Sequence, residues 1–279
     1  MKISGALKCA SAAILAYALV EPWRVAVHKF DVELPDLPRE CDGLRIAQIS
    51  DIHAGLWMPR ALVGRILKFC AAQNPDVVVF TGDVVTRRKS YPPGIGRLAH
   101  TVTDYAADLA HELEILQPPL GSYVVPGNHD LWNGDFAPIA EILARANVVS
   151  LLNKNTRLPN GLPLVGVDDL RAGSPDVHAA TAGVPSDEAQ IILSHNPRMA
   201  LLCRNRNALI LSGHTHGGQV ALPARFRISP VDAGQSFYQR GWYQVGRAKL
   251  YVSGGAGTIG APVRLGVRPE IAVFTLRRG

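Results

Sequence analysis

Residues 44–53 read LRIAQISDIH and residues 76–83 read DVVVFTGD, so each short apolar run ends abruptly in ionisable residues. Short runs without polar alternation are typical of strands that are buried on both faces, and we predict strands at Leu44–Ser50 and Asp76–Phe80. Between them, Arg60–Ala72 carries apolar residues at helical spacing. This order predicts a largely parallel sheet with right-handed crossovers, and therefore an α/β fold.

The same pattern recurs three times further along the chain. Predicted strands at Ser122–Val125, Ile191–Leu193 and Ala208–Leu211 end in PGNHD, SHNP and SGHTH. Further helices are predicted at Thr101–Gln117 and Phe136–Ala146. Functional groups in open parallel sheets gather at the carboxyl ends of the strands, so we expect the residues after all five strands to meet.

The composition changes after Gly217–Gln219, where the chain becomes rich in Gly, Pro and β-forming residues. Strands are predicted at Lys249–Ser253 and Ile271–Leu276. We expect a second sheet packed on the first within one domain, residues 22–279, whose residues up to 43 form an extended lead-in. No Pro- or Ser-rich linker marks a boundary inside it.

Composition sets broad limits on the class of protein. The 279 residues are 47% hydrophobic, which is ample for a core, and they contain no low-complexity tract or solenoid repeat. The net charge of +6 favours phosphorylated or membrane-surface partners, although a basic surface without such a partner also accounts for it. The four cysteines lack CxxC spacing, so a disulfide framework is not indicated.

The first 21 residues read as a separate segment. Lys2 and Lys8 precede the apolar run Cys9–Val20, which is shorter than the roughly 20 residues of a membrane span. Counting from Ile3 lengthens the run only by including Lys8. Three interpretations stay open: a membrane anchor, a signal peptide cleaved near Ala16–Ala18, and a buried N-terminal helix.

The first two interpretations make the protein membrane-associated or exported. The main domain then lies on the periplasmic or extracytoplasmic side if the N-terminal lysines stay inside. Arg24 and Lys29 follow the apolar run, so a cytoplasmic location stays open as well.

Five of the nine histidines fall in the motifs at strand ends, and they are His53, His129, His195, His214 and His216. Imidazoles and carboxylates together suit Zn, Mn, Fe or Ni. Residues one apart on an extended segment point to the same side, so Asp51 can converge with His53, and His214 with His216.

Two further motif residues suit metal binding. Asp83 can bridge two cations through its two carboxylate oxygens, and Asn128 offers a neutral amide oxygen. The other histidines, His28, His100, His111 and His178, are interpreted as surface or packing residues.

These motifs resemble those of the calcineurin-like metallophosphoesterases. The resemblance runs from about Glu21 to the C-terminus and is carried by D-x-H, GD, GNHD, SHNP and LSGHTHGGQ, together with GVDD at 166–169, YVSG at 251–254 and RPE at 268–270. The sequence looks most like the bacterial phosphodiesterase-type branch with an N-terminal membrane segment. The resemblance implies two mixed β-sheets packed as a sandwich and flanked by helices.

The resemblance also implies a site with two divalent ions, of Mn, Zn, Fe, Ni or Mg. One ion would be held by Asp51, His53, Asp83 and His216, and the other by Asp83, Asn128, His195 and His214, with Asp83 as the bridge. His129 matches the family's catalytic histidine, which is not a ligand. Asn128 and His129 would also contact the substrate.

One motif departs from the family's pattern. Protein phosphatases carry Gly-Asp-x-x-Asp-Arg, whose second Asp orients the catalytic histidine, whereas Gly82–Arg87 has threonine at position 86. This argues against a protein phosphatase. Arg87 is either a substrate-binding residue or a surface arginine. Asp168, Asp169 and Arg264 either line the pocket or are a loop carboxylate pair and a surface arginine, and we favour the second interpretation.

The function expected from these residues is hydrolysis of phosphodiester or phosphoanhydride bonds, by attack of a hydroxide that bridges the two metal ions. One alternative is a membrane-surface pyrophosphohydrolase of a nucleotide-linked lipid, such as UDP-diacylglucosamine. The other is a metal-binding scaffold without hydrolytic activity. No aromatic and basic groove predicts a nucleic-acid partner, and the oligomeric state stays open.

Overall fold

The computed structural model describes residues 5–92, 94–132, 134–221 and 237–279. The first half of the chain alternates strands with helices: α1 (Gly5–Val20), β1 (Ala26–Leu34), β2 (Arg45–Ile49), α2 (Arg60–Ala71), β3 (Val77–Thr81), α3 (Val102–Leu113), β4 (Ser122–Val125), α4 (Asn128–Leu131), α5 (Ala137–Ala144) and β5 (Val148–Ser150). The second half is richer in strands: β6 (Lys154–Arg157), β7 (Pro163–Gly166), α6 (Val177–Ala180), β8 (Gln190–Leu193), β9 (Ala208–Ser212), β10 (Gly241–Val245), β11 (Ala248–Val252) and β12 (Glu270–Arg278).

The strands form two mixed sheets of six strands each within these described ranges. The first sheet has the order β1-β12-β2-β3-β4-β5, and in it β2 to β5 run parallel while β12 is antiparallel to β2. The second sheet has the order β10-β11-β9-β8-β7-β6, with antiparallel strands at its two edges. This is the predicted pair of mixed sheets with flanking helices.

Strand β3 shows why the sheets stack. Its side chains alternate between two cores, as the two-residue period of a strand requires. Val77 and Val79 face the core between the sheets, where they meet residues of β9 and β12. Val78 and Phe80 pack in the core beneath α2, α3 and α5. Both faces are therefore apolar, which explains the continuous hydrophobic run in the sequence.

The strands that precede the five motifs are confirmed to within two residues, but the helices are shorter than predicted, and α3 is shortened most. Helix α3 begins after Thr101, whose hydroxyl accepts a hydrogen bond from the backbone N–H of Asp104. The Asp104 carboxylate accepts the N–H of Thr101 in return. This capping box fixes the start of the helix, which ends at Leu113 rather than Gln117. Helix α5 occupies Ala137–Ala144 inside its predicted range.

The assignment of strands to sheets was partly wrong. The predicted extended lead-in contains β1, which pairs in parallel with β12. The predicted strand Ile271–Leu276 is part of β12 and lies in the first sheet, while the second sheet already begins at β6. An apolar run predicts burial, but its partner strand depends on tertiary packing that the run does not encode.

Helix α1 is docked mainly at its C-terminal end. Among its side chains from residue 8 onward only Ala18 is buried, whereas Ile14 and Leu15 are 54% and 60% exposed. The backbone carbonyl of Ala18 accepts a hydrogen bond from the N–H of Arg264 (2.9 Å). The interpretation as a buried helix is therefore wrong. Within the described ranges, none of the helices combines the length and the apolarity that crossing a bilayer would need.

Candidate metal centre

The carboxyl ends of β2, β3 and β4 in the first sheet meet those of β8 and β9 in the second. Buried Gln48 links the two sheets, because its side-chain amide donates to the hydroxyl of Thr81 and to the carbonyl of Ser212 (2.9 Å each). Beyond it, both carboxylate oxygens of Asp51 accept the backbone N–H of His214 (3.1 Å each). The five motifs thus meet as expected, although they come from two sheets rather than one.

Five residues of these motifs have left-handed backbone conformations. Their φ angles are 54° for Asp51, 51° for His53, 51° for Asp83, 72° for His214 and 50° for His216. This conformation costs a residue other than glycine about 1–3 kcal/mol, so it persists only where the surroundings enforce it. Its concentration here marks the ends of the strands as a functional site.

Two motif positions must be glycine because neighbouring atoms leave no room for a side chain. Gly82 has a φ of 87°, and a Cβ atom there would lie 2.6 Å from Nδ1 of His195. A Cβ atom on Gly127 would collide with the carboxylate of Asp83. Because neither position can hold a side chain, the GD and GNHD motifs begin with glycine.

The candidate ligands form two adjacent groups. In the first, Nε2 of His216 lies 3.1 Å from Nε2 of His53 and 3.4 Å from Oδ1 of Asp51. In the second, Oδ2 of Asp83 lies 3.3 Å from Nε2 of His195, which is itself 3.2 Å from Nδ1 of His214. The same Oδ2 lies 3.5 Å from Nε2 of His53. Asp83 therefore touches both groups.

These separations fit coordination of metal ions. Ligand nitrogens and oxygens at about 2.0–2.1 Å from one cation lie about 2.9–3.4 Å from one another, close to the observed values. Asn128 supplies an independent observation, since its buried side-chain oxygen has no hydrogen-bond partner among the described residues. A buried oxygen left in this way is costly unless a cation binds it. Asp51, His53, Asp83, His195 and His216 can hold two ions.

Hydrogen bonds fix which ring nitrogen faces the site. The hydroxyl of Thr86 donates to the carbonyl of His53 (3.2 Å), so its oxygen accepts the Nδ1–H of the same residue (3.0 Å). The Nδ1–H of His195 donates to the carbonyl of Thr81 (2.8 Å). Both imidazoles therefore direct Nε2 to the centre, the orientation that metal ligands require.

Burial controls the charges of these groups. It lowers the pKa values of His53 and His214 to about 3, which keeps their imidazoles neutral and able to bind cations. Burial also raises the pKa of Asp51 to about 6. For Asp83 burial opposes ionisation, but the neighbouring His195 and His129 hold its pKa well below the usual range. A cation would stabilise both carboxylates further.

Asp130 positions Asp83, a role that sequence reasoning missed. Its buried carboxylate accepts the backbone N–H groups of Gly127 (2.9 Å), Val84 (3.3 Å) and Val85 (3.1 Å), which joins the GD loop to the GNHD loop. The backbone N–H of His129 can then donate to Oδ1 of Asp83 (2.7 Å). The place of Asp130 at the end of GNHD was the available signal.

His129 lies beside the candidate ligands, with its ring centroid 4.8 Å from that of His53. Its Nδ1 is 3.1 Å from the hydroxyl of Ser90, a residue that lies outside the sequence motifs. Thr86 contacts His53 instead of His129. The residue that replaces the expected carboxylate thus orients a candidate ligand, and a serine further along the loop contacts the candidate catalytic histidine.

A cavity of about 330 Å³ opens onto this site. Motif residues and several residues outside the motifs line it, namely Asp83, Asn128, His129, His214 and His216 with Arg87, Ser90, Trp132, Arg171, Ile259 and Gly260. Arg87 is half-buried against Trp132 and belongs to the cavity wall. Trp132 and Arg171 were missed because no motif marks them.

Two further expectations have different outcomes. Asp168 and Asp169 form a loop pair as interpreted, and their carboxylates accept backbone N–H groups of residues 169–174. Arg264 was wrongly interpreted as a surface residue, because it is completely buried. Its guanidinium donates to the carbonyls of Gly254 and Gly257, which fixes the loop beside Asp51.

Comparisons with known proteins identify chains that are similar to this one. A model of the calcineurin-like phosphoesterase family matches residues 44–218. A zebrafish (Danio rerio) protein, "Transmembrane protein with metallophosphoesterase domain", is 31% identical over 96% of this chain, which spans 61% of that relative. The Bacillus subtilis "Uncharacterized metallophosphoesterase YkuE" is 28% identical over 92% of this chain and 87% of its own length. The structural match to the crystal structure of a dimetal phosphatase from Danio rerio covers 77% of this chain and 88% of that chain. Its sequence identity is 12% and its TM-score is 0.48.

Metal binding should stabilise the folded protein through Asp83. At 100 times the dissociation constant, one bound ion adds about 2.7 kcal/mol, which raises the melting temperature by roughly 5–10 °C. We expect that rise when Mn²⁺ or Zn²⁺ is returned to chelator-treated protein, and we expect Asp83→Asn to lose most of it. Asp187→Asn, a change at an exposed position, is the matched control. Equal rises in both variants, measured by calorimetry, would show that Asp83 holds no metal.

Proposed function

This chain belongs to the calcineurin-like phosphoesterase family, and from that premise we propose that it hydrolyses phosphodiester or phosphoanhydride bonds with two divalent cations. The observation that carries the proposal is the position of Asp83, whose Oδ2 lies within 3.5 Å of histidines from both ligand groups. A carboxylate in that position can serve two ions at once, as a two-ion site requires.

In this proposal, one ion would be held by Asp51, His53, Asp83 and His216, and the other by Asp83, Asn128, His195 and His214. The metal is Mn, Zn, Fe, Ni or Mg. When bound, the ions lower the pKa of a water molecule and offset negative charge on the phosphoryl oxygens. Asn128 and His129 line the cavity and contact the substrate phosphate.

His129 acts on the leaving oxygen. Burial lowers the pKa of His129, and the charges of Arg87 and Arg171 lower it further, whereas Asp83 raises it. A bound phosphate brings negative charge that favours the protonated ring. With Nδ1 engaged by Ser90, the other ring nitrogen can stabilise or protonate the departing oxygen.

The scaffold alternative lacks comparable support. A protein that only bound metal would need neither a histidine beside the ligands nor a serine that orients it.

We also assign catalysis to a domain comprising residues 22–279, with the first 21 residues as a separate segment. The exposed apolar residues of α1 support attachment of that segment to a membrane surface.

The central test is metal-dependent turnover by the purified full chain. After chelation, hydrolysis of bis-p-nitrophenyl phosphate and p-nitrophenyl phosphate is followed as Mn, Zn, Mg, Fe or Ni is restored. We expect cleavage of the diester, with kcat lowered at least about 100-fold by His214→Ala. His178→Ala changes an exposed histidine outside the site and serves as the matched control. Near-normal turnover in His214→Ala would refute the assignment.

Ser90 should act through His129 and not through the metal ions. Ser90→Ala removes the partner of Nδ1, so we expect kcat to fall about 10-fold because the ring loses its fixed orientation. Metal content, measured by mass spectrometry, should stay at two ions per chain, and Ser90→Thr should restore part of kcat. A loss of metal in Ser90→Ala would assign the residue to the metal centre instead.

A further inference from the structure

Two arginines stack on one tryptophan in the cavity. The guanidinium carbon of Arg87 lies 4.3 Å from the ring centroid of Trp132, and that of Arg171 lies 5.5 Å from the same centroid. Stacking on an indole restrains a guanidinium while leaving its N–H groups at the edge available for hydrogen bonds. We call these three residues the Arg–Trp–Arg wall.

The wall stands outside the candidate metal centre. The ring of Trp132 lies 4.3 Å from that of His129, and the ring of His129 lies 4.8 Å from that of His53. In this series the rings of Trp132 and His129 lie between the arginines and His53, while both arginines line the same cavity as Asp83 and His214. The scissile phosphate must contact the ligand end of the cavity, so the wall faces the part of the substrate beyond it.

Neighbouring groups hold the side chain of Arg87 and the backbone turn that carries Arg171, whose side chain is exposed. The Nη1 of Arg87 donates to the carbonyl of Trp132 (3.4 Å), and its buried Nε has no hydrogen-bond partner among the described residues. Across those residues Arg87 also makes no salt bridge with a carboxylate. The turn that carries Arg171 is fixed by Asp169, whose Oδ1 accepts the N–H groups of Arg171 (2.9 Å) and Ala172 (2.8 Å).

Resting on the proposed function, we propose that the Arg–Trp–Arg wall binds a second phosphoryl group next to the scissile one, so that the preferred substrates are phosphoanhydrides. Guanidinium groups bind phosphate oxygens through paired, charge-assisted hydrogen bonds. A simple diester carries one negative charge and leaves the wall without a ligand. A diphosphate places its second charge at the wall, within reach of the guanidinium groups that line the cavity.

The reaction balances without a further reactant. Water adds its oxygen to the scissile phosphorus, and the bond from that phosphorus to the bridging oxygen breaks. The bridging oxygen keeps the electron pair and leaves with the second phosphoryl group, which the wall holds. One diphosphate diester dianion and one water give two phosphate monoester monoanions, each with one of the two protons of the water.

The test compares two substrates that differ by one phosphoryl group, bis-p-nitrophenyl phosphate and P1,P2-bis(p-nitrophenyl) diphosphate. For the wild-type full chain we expect a higher kcat/KM on the diphosphate, with products separated by chromatography. Arg171→Gln and Arg87→Gln should each lower the ratio of the diphosphate value to the monophosphate value by about 10-fold or more. Arg171→Lys should retain part of the preference, and Arg145→Gln, which changes an exposed arginine on another surface, is the matched control.

Direct binding separates this proposal from the proposed function. Calorimetry of the same two compounds with the full chain needs no turnover, and the wild type should bind the diphosphate about 10-fold more tightly than Arg171→Gln does. If the arginine variants bound both compounds more weakly by the same factor, the arginines would bind the scissile phosphate, and the proposal would be wrong. An unchanged ratio would also overturn it. If the wild type bound the diphosphate more tightly than the monophosphate but hydrolysed neither, only the hydrolytic function would be contradicted.

Discussion

The burial of Asp51 and Asp83 among four imidazoles is the constraint on which the rest of the structure depends. Two carboxylates removed from water are costly unless charges or hydrogen bonds compensate them. Backbone N–H groups of His214 and His129 supply part of that compensation. Cations bound between the carboxylates and the imidazoles would supply the rest.

The fold is arranged to bring these side chains together. Two sheets share an apolar core, and their strand ends are joined by the buried amide of Gln48. The chain then turns sharply through left-handed residues, and it passes Gly82 and Gly127 where no side chain fits. Conformational strain at these positions is acceptable because the packed sheets on either side fix the backbone.

Much of the site could be predicted from sequence, because its residues sit in short motifs directly after buried strands. The prediction of Asp83, His195 and His214 as site residues needed only the apolar runs and the rule that functional groups gather at strand ends. Ser90, Trp132 and Arg171 could not be found in this way, since they lie outside the motifs and reach the cavity only through tertiary packing. The predictions for strand β12 and for Arg264 were wrong for the same reason. A local sequence pattern predicts neither the partner of a strand nor the burial of a charged residue.

Electron paramagnetic resonance of the protein loaded with Mn²⁺ tests most directly whether Asp83 joins two ions. Ions bridged by one carboxylate are close enough for their spins to couple, so the account predicts the spectrum of an exchange-coupled pair at two equivalents of Mn²⁺. Asp83→Asn should convert that spectrum to the one of isolated ions. Isolated Mn²⁺ signals alone in the wild type, at saturating metal and in folded protein, would contradict the dinuclear centre.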